Sequence, residues 1–82
     1  MSPNAQRVLL ALAQAEGKAK PGEPLPLRAI AKAAMAGDTE SAARVLGELD
    51  LLGLLRTDTM GWQFGRLTAP GREAARRDKS FL

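Results

Sequence analysis

Apolar residues recur at spacings of three and four in three stretches of the chain, and each stretch carries the end signals of a helix. In the first, Ala5, Val8, Leu9 and Leu12 form a stripe with Ala13 beside it, while Leu10 falls well off it. Ser2 stands as N-cap and Pro3 at the first helical position, where its missing N–H costs nothing. Gly17 is the expected end of this helix. The second stripe, Leu27, Ile30, Ala31, Ala34 and Met35, is shorter and keeps Arg28 and Lys32 on its outer side. The third is Ala42, Val45, Leu46, Leu49 and Leu52. Asp38 or Thr39 can cap it by accepting from free backbone N–H groups, and Glu40 adds negative charge where the helix dipole favours it. Gly53 then offers the left-handed conformation that ends a helix cheaply.

The remaining segments read as short strands and turns. Residues 17–26 hold three of the five prolines and form a loop. Within it Leu25-Pro26-Leu27 is extended, because a proline disfavours helix for the residue before it, and suits a minimal edge strand. Ala36-Gly37-Asp38 is a tight turn. Leu54 to Asp58 and Trp62 to Leu67 read as the two strands of a hairpin about a glycine-containing turn. The second strand does not alternate cleanly. If Leu67 faces the core, Trp62 and Phe64 face away, so either a bulge at Gly65 resets the register or something covers the outer sheet face. Thr68 caps a last helix with Pro70 in its first turn.

Composition narrows the possible chemistry. The chain has 82 residues, enough for one domain, and 45% of them are hydrophobic, too many for disorder. A domain of this size buries only about 60–65% of its unfolded surface, so its own core is marginal. There is no cysteine and no histidine, which removes disulfides, thiolate nucleophiles, histidine bases and the usual zinc sites. No nucleophile–base pair, glycine-rich phosphate loop or metal-ligand spacing is present, so neither enzymatic activity nor a cofactor is expected. No stretch is long and apolar enough for a membrane span and the N-terminus is unlike a signal peptide, so a cytoplasmic protein with no membrane partner is expected. The net charge of +3 is concentrated at the two ends of the chain, while residues 21–60 are slightly acidic. Arginine outnumbers lysine and alanine is abundant, as in proteins of GC-rich bacterial genes.

Three local patterns carry a likeness to a known family. They are L-x-x-I-A-K-A from Leu27 to Ala33, S-A-A-R-V-L-x-x-L-x-x-x-G-L-L-R from Ser41 to Arg56, and L-T-x-x-G-R from Leu67 to Arg72. In this order, with a tight turn between the second and third helices, the chain resembles the winged helix-turn-helix superfamily, in the style of the MarR-like and PadR-like bacterial transcription regulators. The resemblance implies an α+β fold: a three-helix core, a small antiparallel wing sheet and a short C-terminal helix. One domain over residues 1–82 would place the helix-turn-helix at about 27–53, the wing at about 54–67 and the last helix at about 69–79. It also implies sequence-specific binding of double-stranded DNA and a role in transcription regulation. Thr39, Ser41 and Arg44 would read bases, Arg28 and Lys32 would sit near the phosphate backbone, and Arg56, Gln63 and Arg66 would belong to the wing. Winged helices also serve as protein-interaction modules, and that alternative stands beside the first.

Several residues admit two readings. Arg44 suits a bidentate contact to guanine, yet Glu40 and Glu48 flank it at helical spacing and either could hold it in a surface ion pair. The third helix, with Glu40, Glu48 and Asp50 against one arginine, is poorly charged for phosphate. Gly47, in mid-helix, fits either a close approach of another group or simple tolerance, at a cost of roughly 1 kcal/mol relative to alanine. Trp62 and Phe64 are more readily explained by packing under a helix or a partner than by stacking on nucleic acid. Leu10, Phe81 and Leu82 lack an evident place in a monomer core, which points to a homodimer formed through the first helix, the C-terminal helix or both.

Overall fold

The computed structural model describes residues 1–58 and 60–79, and within them the side chains of all but Met60, Asp78 and Lys79. Phe81 and Leu82 lie outside the described residues. Among the described residues, four helices and three strands follow one another as α1 (Pro3–Lys18), β1 (Leu25–Pro26), α2 (Leu27–Ala34), α3 (Thr39–Leu51), β2 (Leu55–Thr57), β3 (Phe64–Leu67) and α4 (Ala69–Lys79), with a single turn of 3-10 helix at Met60–Trp62. The fold is thus a small α+β domain with one antiparallel sheet in the order β1-β3-β2.

The helix ends form largely where local chemistry favours them. The Ser2 hydroxyl accepts from the Ala5 N–H at 3.1 Å. Asp38, rather than Thr39, caps α3 by accepting from the Ser41 N–H at 3.1 Å. At the far end of α3 the N–H of Leu54 reaches the carbonyl of Leu49 and that of Gly53 reaches Asp50, with Gly53 at φ 73°. This is the paired closure that a left-handed residue makes after a helix. The same closure ends α2, but there the first left-handed residue is Ala36, at φ 56°, followed by Gly37 at φ 89°. Gly17 does not end α1. The helix continues to Lys18, and the Ala19 N–H closes it on Ala15 and Glu16. A Cβ at Gly17 would meet nothing within 4 Å, so no close approach requires a glycine there.

All three predicted stripes turn inward, meeting Leu25, Leu54, Leu55, Leu67 and Ala75 in one core that, among the described residues, contains no polar or charged residue. Leu52 is the exception. As the C-cap of α3 it has left the helical stripe and is 51% exposed. Leu10, expected to lie outside the core, is half-buried and packs against it.

The hairpin resolves the broken alternation without a bulge. Leu55 pairs with Leu67, Arg56 with Arg66 and Thr57 with Gly65 in unbroken register. Leu67 and Gly65 face inward, and a Cβ at Gly65 would strike the Arg56 carbonyl and the Leu27 side chain. Only a glycine lets α2 pack this closely on the sheet. Phe64 therefore faces outward, 44% exposed, and β3 begins there rather than at Trp62. Gly61 and Trp62 both take positive φ, 76° and 55°, which carries the chain out of strand geometry. At the start of α4 the Thr68 hydroxyl accepts from the Gly71 N–H and donates to the Gly53 carbonyl at 2.6 Å. One side chain thus caps α4 and fastens it to the end of α3.

Candidate nucleic-acid interface

The residues expected to contact DNA fall into three groups. In the first, Arg28 and Lys32 on the outer side of α2 line a cleft of about 230 Å³ with Thr39 from the first turn of α3. The short turn at 35–38 brings these elements together. The Arg28 guanidinium also comes near Gly61, about 4.0 Å from where a Cβ would stand, so the hairpin turn borders the same region.

The second group is the exposed face of α3. Ser41 is half-buried, and its hydroxyl donates to Asp38 at 2.7 Å. The hydroxyl and backbone N–H of Ser41 hold the Asp38 carboxyl below its ordinary pKa. Arg44 points to solvent and makes one contact to Glu40, at 3.4 Å. Both side chains of that pair are more than three-quarters exposed, so the contact contributes little and breaks easily. Glu48 does not join it. The Ser2 N–H and hydroxyl donate to the two Glu48 oxygens at 2.9 and 3.0 Å, fastening α3 to the start of α1. These bonds, the backbone one foremost, lower the Glu48 pKa.

The third group is the sheet. Arg56 and Arg66 are cross-strand neighbours on its outer face, the face that also carries Phe64. The Arg66 Nε–H donates to Asp58 at 3.3 Å. Arg66 also borders the loop after α1, near Lys20 and Glu23, a different neighbourhood from the α2–α3 cleft. Gln63 is exposed, and its backbone carbonyl accepts from the Leu27 N–H at 2.9 Å, joining the hairpin to α2. The expected wing contacts are therefore divided between the turn, beside Arg28, and the strands, whose arginines lie on the outer sheet face.

Trp62 is the residue whose place the sequence conveys least. It packs partly buried against the core, its indole lying over Gly47 of α3. Its indole N–H is buried and has no hydrogen-bond partner among the described residues. Together with the left-handed φ of 55°, a conformation that costs of order 1–3 kcal/mol, this marks a side chain held in place by its surroundings. Gly47 and a lone tryptophan in the hairpin were the available sequence signals. Nothing comparable announced the Ser2–Glu48 bonds, or the bidentate Arg72–Glu16 pair at 2.7 and 3.3 Å that holds α4 to α1. Glu16 keeps the Arg72 pKa above its ordinary value.

No protein-family model, curated protein or solved structure matches this chain. Among the described residues, no helix is long and apolar enough to cross a membrane.

Proposed function

We propose that this chain is a winged helix-turn-helix domain that binds double-stranded DNA sequence-specifically, as a non-catalytic bacterial transcription regulator of the cytoplasm. The observation that carries this reading is the shared cleft of Arg28, Lys32 and Thr39. Two cations on α2 stand beside the first turn of α3, the arrangement needed for one helix to grip phosphates while the next presents its N-terminal residues to base edges. Thr39, Ser41 and Arg44 are the readers, and Arg44 is available because its pair with Glu40 is weak. Gln63 and the hairpin turn extend the contact beside Arg28, with Arg56 and Arg66 adding positive charge behind them. A salt titration of binding to generic duplex DNA tests the reading. Affinity should fall steeply, with a logarithmic slope of about 0.9 per phosphate neutralised. No binding at about 50 mM salt would refute it.

A second reading, docking of a protein on α3, is favoured by a different observation. The C-terminal half of this helix exposes Leu51 and Leu52 next to Trp62, a surface unsuited to phosphate.

A further inference from the structure

Leu51 is 91% exposed, and Met1, Leu51 and Leu52 are three of the four exposed large hydrophobic residues found among the described residues. The Ser2–Glu48 bonds bring the start of the chain to this same part of α3. An open groove of about 650 Å³ here is lined by Trp62, Gly47 and Leu51 together with the charged Arg44, Glu48 and Asp50. Apolar surface gathered in one place with a charged rim marks an interaction site.

We infer that this groove receives a second copy of the chain, with the two α3 helices antiparallel about a two-fold axis near Gly47. The inference names the partner for the protein-docking reading and rests on it. Charge selects the occupant. Arg44 lies three residues before Gly47 and Asp50 three after, about 4.5 Å to either side along the helix axis. Turning one copy end for end brings each guanidinium within reach of the other copy's carboxylate, twice over, whereas a parallel pair would set like charges together. Among the described residues no cation pairs with Asp50, and Glu48 is already held by Ser2. Gly47 lets the helices approach at the crossing, and Leu51, about 6 Å from it along the axis, packs on the other copy beside Ala43. Such a contact is closed and stops at the dimer. The groove between α1 and α4 is less suited to a second copy. Leu10, Ala13 and Ala75 line it, but so do Arg72 and Arg76, and the one carboxylate among its described lining residues, Glu16, is already held by Arg72.

Sedimentation equilibrium of the full chain without DNA, up to high micromolar concentration, tests the inference, with circular dichroism verifying the fold of each variant. A monomer–dimer equilibrium is expected. Arg44→Glu and Asp50→Arg should each weaken it roughly tenfold or more by setting like charges together, and the double reversal should restore it. Leu51→Ser, at a position too exposed to affect folding, should also weaken it roughly tenfold. A wild-type chain that stays monomeric overturns the second-copy inference and leaves protein docking to another partner. A dimer indifferent to all these changes overturns both. Single reversals that weaken the dimer without rescue by the double overturn the antiparallel pairing.

Discussion

The two halves of α3 are built on the same buried stripe but present opposite surfaces. The N-terminal half, from Asp38 to Arg44, is polar, capped, and flanked by the cations of α2. The C-terminal half, from Gly47 to the Leu52 cap, exposes Leu51 and Leu52 between the carboxylates of Glu48 and Asp50, borders Trp62 and is tied through Glu48 to the start of α1. Ala42, Val45, Leu46 and Leu49 fix how deep the helix sits, and they do so equally for both halves. The surface is then free to vary along its length, so one helix can carry two interaction sites. Arg44 stands at the boundary and is claimed by both proposals: as a base reader in the DNA reading and as a partner of Asp50 across the proposed dimer. The two contacts therefore compete for it.

The largest expected effect comes from the support the halves share. Leu46→Ala, at a fully buried position, should cost about 2–5 kcal/mol of stability in chemical denaturation and weaken both surfaces together. Loss of one surface with the other intact would show that the halves fold independently. Next, Arg44→Ala should cost on the order of 1–3 kcal/mol on a cognate duplex and much less on random DNA. Equal losses on both would remove Arg44 from the readers.

A smaller effect is expected from acid. Asp38 and Glu48 both have carboxyl pKa values lowered in the folded state, by Ser41 and by Ser2 respectively. Their contribution is fully present above the unfolded carboxylate range near pH 4 and is lost as pH falls through the lower folded values. Glu48→Gln should reduce the melting temperature at neutral pH and flatten its decline in acid. An unchanged acid profile would show that the Ser2–Glu48 bonds do not hold the C-terminal half in solution. The smallest effect concerns the turn before α3. Ala36 sits at a positive φ that glycine adopts without strain, so Ala36→Gly should stabilise by about 0.5 kcal/mol, once the added freedom of the unfolded chain is subtracted. Thermal melts would detect it.

Much of this architecture was legible because it is local. The period of the three stripes, the Ser2-Pro3 start, the Asp38 cap and the Gly53 stop each depend on residues a few positions apart. What escaped depends on distance or on geometry without a sequence mark. Leu52 fits the helical period, yet the chain leaves the helix at that residue. The place of Trp62 follows from two successive left-handed residues, the second of which is not glycine. The outward turn of Phe64 follows from Leu27 packing on Gly65, a contact across 38 positions. Ser2 and Glu48 are 46 positions apart. Of the candidate DNA contacts, the cleft residues Arg28, Lys32 and Thr39 do come together, whereas Arg56 and Arg66, adjacent to them only in the expected wing, occupy the outer sheet face.

The division of α3 into two surfaces is tested most directly by the affinity of labelled duplex DNA for two variants, measured by fluorescence anisotropy at about 50 mM salt. One variant combines Arg28→Ala with Lys32→Ala, and the other combines Leu51→Ser with Leu52→Ser. The first should bind more weakly on every sequence and lower the salt slope by about 1 for each phosphate no longer neutralised. The second should bind at least as tightly as the unaltered chain, since it frees Arg44 from the dimer. Weaker binding by the leucine variant, with the cation variant unaffected, would contradict the assignment of DNA to the N-terminal half.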